Sequence, residues 1–532
     1  MNAWPVAKLS PPHGRWPAEL RSWHMSEQHV RAIASLLLLL TTFELRAVVR
    51  YVNLENPEPS APYLSWLTAA TNIQQAIDLA QDGDEIVVTN GIYASGGTLA
   101  SDDITTNRVA VTRAVTLRSV NGPSATVIKG YQIPGVTNGP AAVRCVYLAS
   151  GATLVGFTLT GGATTEPSFT GGGISGGSYS AVVSNCVITS NSAYFVGGGA
   201  CNATLNNCTI TGNNSTSGGG IAESIASACV ISGNLSYDNG GGARYSTLTN
   251  CTITGNSASY GGGGAAGCTV VNCVLNQNTA LRGGGAYQST LYNCTVVGNS
   301  SGGFTATGGG TRDCTNYNTI LYYNTNTFTS TPNYVGGLFS NCCTTPGPGG
   351  TGNFRLAPLF VDQQSDFHLQ PSSPCINAGM NGYVQNSTDL DGNPRISAGT
   401  VDVGAYEFKN PGSVISSAWL VSYGLPQDGS ADHADPDGDG MDNWKEWICG
   451  TNPTNAVSVL KMLAPSNAVT GIALRWQSIQ GKVYSLQRAG SLSPATEFFA
   501  IQTNISGQTN ITSFTDVTAT GRGPFFYRVA IQ

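Results

Sequence analysis

The sequence predicts an all-β protein dominated by one parallel β-helix solenoid, followed by a short acidic joint and a small β-sandwich. The first observation is a repeat. Cysteines recur at 186, 208, 229, 251, 273 and 294, in steps of 21 or 22 residues. An asparagine follows each by five places (Asn191, Asn213, Asn234, Asn256, Asn278, Asn299), and glycine blocks begin at 171, 197, 218, 240, 261, 283 and 308. A strict period in this range marks a solenoid, whose units are too small to bury a face alone and must stack. The second observation is alternation. In "CTIT", Cys251 and Ile253 share one face and Thr252 and Thr254 the other, as a half-buried strand requires. The third is composition: only 10% of the 532 residues are charged and 67 are glycine, against roughly 25% charged in an ordinary domain.

Each element of the repeat has a physical task. Cysteine acts as a small buried hydrophobe. Asparagine ends the strand by bonding to backbone at the turn, and can also bond to the asparagine one coil away. Glycine lets the chain bend tightly and pack closely. A unit of about 22 residues then holds three short strands and three turns, with coils ~4.8 Å apart. Stacked cysteines have parallel side chains, which does not suit a disulfide. Pairing among Cys145, Cys201, Cys268, Cys314, Cys342, Cys343, Cys375 and Cys449 stays open. "NCT" at Asn207, Asn250 and Asn293 also reads as a glycosylation sequon, but the repeat already explains its recurrence.

Ahead of the repeat, "RAIASLLLLLTTF" (31–43) places a basic residue before an apolar run, and "ELRA" follows it. This reads as an export signal over 1–47, with Met25 as the expected start. The run is too short to span a bilayer with ease, so no membrane span is expected in the mature chain. Next, "TNIQQAIDLAQDGDEIVVTNGIY" (71–93) predicts an amphipathic helix from Ile73 to Ala80 and then a strand, a cap for the apolar end of the solenoid. This segment resembles the opening of secreted right-handed β-helix proteins of the pectate-lyase-like class. The "GGG…N" repeats are similar to those of polymorphic outer-membrane proteins. "SPCINAG…TDLDGNPRISAGTVDVGAYEF" (373–408) resembles the closing module of choice-of-anchor bacterial surface proteins. These resemblances imply a right-handed helix over 48–408 and an extracellular or cell-surface location, and they are weak for chemistry.

Residues 409–456 change character. "DPDGDGMDNWKE" (435–446) fits a calcium loop place by place. Asp435, Asp437 and Asp439 take the first, third and fifth places, and Gly440 makes the bend. Met441 offers its carbonyl, Asn443 sits at the ninth place and Glu446 closes the loop at the twelfth. Hard oxygen ligands on a tight loop suit Ca2+. The loop resembles EF-hand and thrombospondin-type calcium segments, and "SAWLVSYGL" (417–425) is expected to be a short entering helix. Over 457–532, "IALRWQS", "KVYSLQRA", "SFTDVT" and "FFYRVAI" read as strands of a small antiparallel sandwich.

For function, the residues two places past each glycine block should point outward. Among them Arg244, Tyr287 and Arg312 form one stripe. Arginine and aromatic side chains on a sheet face can hold acidic groups and sugar rings, which makes an extracellular polysaccharide or cell-surface glycan the expected partner. A net charge of −6 provides no basic field for nucleic acid, and a monomer is expected. A glycosidase needs two carboxylates about 5–9.5 Å apart. Glu223 and Asp313 share a rung position four coils apart, which is ~19 Å by strand spacing. Asp389, Asp391 and Asp402 gather near the closing module, where they are expected to shape turns. The sequence therefore favours a secreted or cell-surface scaffold that binds glycan or a partner, with no recognisable catalytic residues. The alternative is a polysaccharide lyase or glycoside hydrolase of the pectate-lyase-like class, with Arg244, Arg282 or Arg312 as a candidate base.

Overall fold

The structure is a computed structural model that describes residues 47–532, apart from 101–103, 167–169, 304–306, 329–331, 398, 410–411, 493–496 and 520–522. The expected export signal and Met25 lie outside the described residues. The chain forms a right-handed parallel β-helix followed by a small antiparallel β region. Three long parallel sheets build the solenoid. The first has twelve strands, from Val49–Val52 to Leu338–Ser340, the second has eleven, from Gly91–Tyr93 to Cys343–Thr344, and the third has ten, from Thr106–Val111 to Tyr334–Val335.

The middle coils carry a fourth parallel sheet of six two- to five-residue strands, from Asn214–Ser215 to Thr325–Asn326. Three strands per coil was the expectation from the sequence. The extra strand begins just past the repeat asparagine. Because that side chain is turned inward, the next two residues are free to pair with the neighbouring coil.

The asparagines form a continuous buried ladder. The backbone N–H of Asn191, Asn213, Asn234, Asn256 and Asn278 each donates to Oδ1 of the asparagine one coil on, at 3.0 Å. Each Nδ2 donates to the same oxygen at 2.9–3.0 Å and to a strand carbonyl of the preceding coil. The repeat cysteines are buried to 2% exposure or less. The N–H of Cys251 donates to Sγ of Cys273 at 3.2 Å, and that of Cys208 to Cys229 at 3.4 Å. All fourteen cysteines are free thiols.

A second corner ladder repeats the device with mixed residues. The N–H of Ser224 donates to Oγ of Ser246, Ser246 to Sγ of Cys268, Cys268 to Oγ of Ser289, and Ser289 to Sγ of Cys314. Serine and cysteine interchange here because both are small and both can donate and accept.

The asparagine before each cysteine also has a cause. Asn207, Asn250, Asn272 and Asn293 sit at φ of +52, +52, +51 and +51°, a left-handed corner that asparagine tolerates better than most residues. Asn293 is fully buried, so its sequon is closed to modification in the folded chain. The glycine block is demanded by contact as well as by bend. A Cβ on Gly219 would lie 2.3 Å from the Leu235 carbonyl oxygen.

At the N-terminal end, helix α1 (Ile73–Asp78) is shorter than the expected Ile73–Ala80. The Asn72 side chain accepts the Gln74 N–H at 2.8 Å and starts it. Ile73, Ala76 and Ile77 enter the solenoid core and close its apolar end. At the other end, residues 358–408 fold over the outside of the last coils. Val274, Val297, Ile320 and Cys343, at outward positions, become a second buried core with Phe360, Phe367, Cys375 and Val403.

Two short helices follow, α2 (Ser417–Ser422) and α3 (Asn443–Cys449). The C-terminal region has two three-stranded antiparallel sheets around Leu474, Trp476, Tyr484 and Leu486. The four expected strands are present, together with Ser466–Ala468 and an edge strand, Phe499–Ser506, that sequence patterning did not single out.

Candidate functional site

The outward row of the third sheet runs in register through Tyr147, Ser175, Cys201, Ala222, Arg244, Ala266, Tyr287, Arg312 and Val335. The structure therefore places Arg244, Tyr287 and Arg312 on one stripe. Arg244 and Tyr287 are two coil steps apart, and Tyr287 and Arg312 are adjacent. The row is not uniformly open. Cys201 and Ala222 are closed off in a small cluster with Val196, which corrects the simple picture of an outward and solvated row. From Arg244 on, the long side chains of the row are half-buried, and Ala266 between Arg244 and Tyr287 is buried at 4% exposure.

Neighbouring turns add side chains that the stripe argument missed. The Arg244 guanidinium lies 4.5 Å over the ring of Tyr245, which is 57% exposed. Arg282 lies 4.6 Å over the ring of Tyr260 and donates to its hydroxyl at 2.5 Å. Tyr260 meets Tyr287 edge-on, with ring centroids 6.1 Å apart. Arg312 pairs with Asp313 at 3.3 Å. Tyr260 sits in a register irregularity between Ala258 and Gly261, which re-aims its side chain. The stretch from Asn256 to Gly262 is one residue longer than its counterpart in the next coil, Asn278 to Gly283, and that difference was the readable signal for it. The resulting face carries two cation–π pairs and a tyrosine cluster, a surface suited to carboxylates and sugar rings.

The carboxylates of the solenoid do not gather on it. Glu223 and Asp313 occupy the same left-handed corner, at φ of +47 and +53°, with Tyr245 and Gln288 at that corner in coils between them. Strand spacing separates them by roughly 19 Å. Asp238 accepts instead from the Ser217 hydroxyl at 3.2 Å. In the closing module, Asp389 accepts the N–H groups of Asp391, Asn393 and Glu407. Asp402 accepts those of Asn377 and Phe408. Both thus shape turns. Asp391 holds His368, which bridges to Asp366 at 2.5 Å and to Asp391 at 2.8 Å while lying on the Tyr406 ring.

The buried guanidinium of Arg395 donates to the carbonyls of Ala405, Asp402 and Gly404 and lies 3.7 Å from Glu407. Burial pushes the Asp402 carboxyl up to about 7. Burial, reinforced by Asp402, pushes Glu407 up to about 9.

In the joint, Asp435, Asp437 and Asp439 each present an oxygen within 4.8 Å of the others. The loop holds itself open for this. Asp435 accepts the N–H groups of Gly438 and Gly440 at 2.9 and 3.0 Å, and Asp439 accepts that of Met441 at 2.7 Å. Gly440 bends at φ +94°. Asp442 caps α3 by accepting the Lys445 N–H.

Glu446 is fully buried on α3, and neither of its oxygens has a hydrogen-bond partner. Oδ2 of Asp437 and of Asp439 are likewise unmet. Burial, with Asp437 and Asp439 nearby, pushes the Glu446 carboxyl up to about 7. Asn443 is buried at the start of α3, where its Nδ2 donates to the Ala431 carbonyl and its Oδ1 is unpartnered. Unmet carboxylate oxygens facing one another are what a hard cation would satisfy.

No protein-family model matches the sequence, and no curated protein does. Solved structures share the β-helix at a distance. The pectate lyase Pel9A is 14% identical, with 68% of this chain and 96% of that one covered at a TM-score of 0.42. A rhamnogalacturonan lyase is 12% identical, with 71% and 99% covered at 0.41. XylC in complex with xylose is 10% identical, with 68% and 98% covered at 0.36. At such distance the likeness carries no argument about chemistry.

Proposed function

We propose that the protein is an exported, surface-associated β-helix scaffold that binds an acidic glycan along the open third-sheet face and does not cleave it. In this reading residues 1–47 direct export, 48–408 form the binding solenoid, 409–456 a calcium-set joint and 457–532 a spacer or attachment domain. One observation carries the binding: Arg244 and Arg282 stand over exposed tyrosine rings, with Tyr287 and Arg312 between and beyond them. Guanidinium groups held this way can pair bidentately with uronate carboxylates, and the rings can stack on sugars. Separation of Glu223 from Asp313 supports the absence of paired acid–base chemistry.

Calcium suits the joint. Asp435, Asp437, Asp439 and Glu446 would hold it directly, Met441 through its carbonyl and Asn443 through water. It would supply charge neutralisation and rigidity, with no part in a reaction.

The test is retention on immobilised acidic polysaccharide. Arg244→Ala with Arg312→Ala should weaken retention roughly tenfold or more, since hydrogen bonds to charged groups are worth about 1.5–3 kcal/mol each. Unchanged retention would sink the assignment. New ultraviolet absorbance from unsaturated sugar ends would replace it with the lyase alternative.

A further inference from the structure

A second concave site lies away from the glycan face. At the far end of the solenoid, the last coil, the closing module and the two joint helices enclose a cleft of about 610 Å³, within the range of small-molecule sites. Its walls include Phe354, Met380, Trp419, Tyr423 and Trp447. The Trp419 and Tyr423 rings meet at 4.9 Å and 59°. Both tryptophans rest on Ile415, Leu420 and Ala431, so their positions are fixed by packing on one side while the other side borders the cleft.

One cation lines the same cleft. The Lys482 ammonium donates to the Ile448 carbonyl at 2.6 Å, which uses one of its three donors. Among the described residues no carboxylate lies within 4.0 Å of it. Burial holds its pKa below the usual lysine range, the mark of a cation lacking a counter-charge. Asn377, also on the wall and 1% exposed, has an unpartnered Oδ1. A cap on the end of α3 would account for one hydrogen bond of Lys482. It would not account for an aromatic-walled cavity around the rest of the ammonium.

We propose that this cleft binds a short acidic saccharide, with a uronate carboxylate on Lys482 and sugar rings against Trp419, Tyr423 and Trp447. The choice of an acidic sugar extends the glycan-binding reading to a second place on the chain. The cleft and the third-sheet face share no residue, so each can fail alone.

The test is calorimetric titration of the full chain, in calcium buffer, with a uronic-acid disaccharide and with a neutral disaccharide of the same linkage. The acidic ligand should bind at least tenfold tighter than the neutral one and quench tryptophan fluorescence. Lys482→Gln and Lys482→Met, checked for native melting, should each remove that preference. Absence of acidic-disaccharide binding, or full binding by a natively folded Lys482 variant, overturns the proposal. Loss of disaccharide binding in Arg244→Ala with Arg312→Ala, but not in the Lys482 variants, would move the ligand to the solenoid face. That result rejects the cleft and leaves the first reading standing.

Discussion

The coils between Cys186 and Asn299 and the joint between Ser413 and Thr451 both bury polar groups, and they satisfy them in opposite ways. In the coils, every asparagine of the ladder finds its partner in the next copy of itself. Asn234, Asn256 and Asn278 each give two bonds forward and one back. The joint has no copy of itself to lean on. It buries Glu446 with both oxygens unmet, beside unmet oxygens of Asp437 and Asp439. Repetition lets a chain supply its own counter-groups, whereas a single-copy acidic loop must take one from solution. Stability in the coils should therefore depend on sequence alone, and stability in the joint on ions as well.

The largest effect expected from this contrast is inside the ladder. Cys251→Asp puts an uncompensated charge where exposure is 0%. A buried unpaired charge costs several kcal/mol, on the order of 3–5. Because repeats can unfold locally, hydrogen exchange over residues 229–278 is the measurement. Near-native protection there would show that the corner is not a dry interior.

Asn256→Leu comes next. It strips the acceptor from the Asn234 N–H and Nδ2, and two buried unmet donors should cost about 2–6 kcal/mol together. A loss confined to less than 1 kcal/mol in chemical denaturation would mean that the ladder is replaceable by apolar packing.

For the joint, added calcium should protect 409–456 from proteolysis by about 2.7 kcal/mol at a hundredfold excess over Kd. Asp437→Ala should abolish that protection, and the coils should not respond. Equal cleavage with calcium and with chelator would erase the proposed difference between the regions.

The closing module adds a test by pH. Asp402 and Glu407 both have raised values, so the folded state holds protons that the unfolded state releases above about pH 4–4.5. Their contribution is full below that range and falls as pH rises through 7 and then 9. Melting of the module should therefore drop between pH 5 and 9, and Glu407→Gln should flatten the alkaline part. A melting point that rises over that interval would contradict the burial of these carboxyls. Smallest of all should be the stability effect of Arg244→Ala with Arg312→Ala, within about ±0.5 kcal/mol per site, even as glycan retention falls.

Much of this contrast is legible in the sequence. The period located the ladder because each coil repeats the same inward residues. The "DPDGDG" spacing located the acidic loop because its geometry is set within twelve residues. The candidate face was legible only in part. Arg244, Tyr287 and Arg312 follow from counting past the glycines. The pairing of Tyr260 with Arg282 depends on a one-coil irregularity, and the closing of Cys201 and Ala222 depends on Val196 folding across them. The fourth sheet was missed because two-residue strands have no period of their own.

By itself the sequence determined the solenoid, its inward ladders and the self-contained acidic loop, since each rests on spacing along a few neighbouring residues. Only the tertiary structure decided which outward positions stay open. Thr209 and Thr295 hold equivalent places on the second sheet, yet Thr295 is 1% exposed and its hydroxyl oxygen accepts the Ala405 N–H. Asn272 meets the Thr388 carbonyl across 116 residues of chain. Exposure at such sites, and the existence of the Lys482 cleft, depends on segments that reach the last coils from far along the chain. Local periodicity carries no information about where those distant segments land.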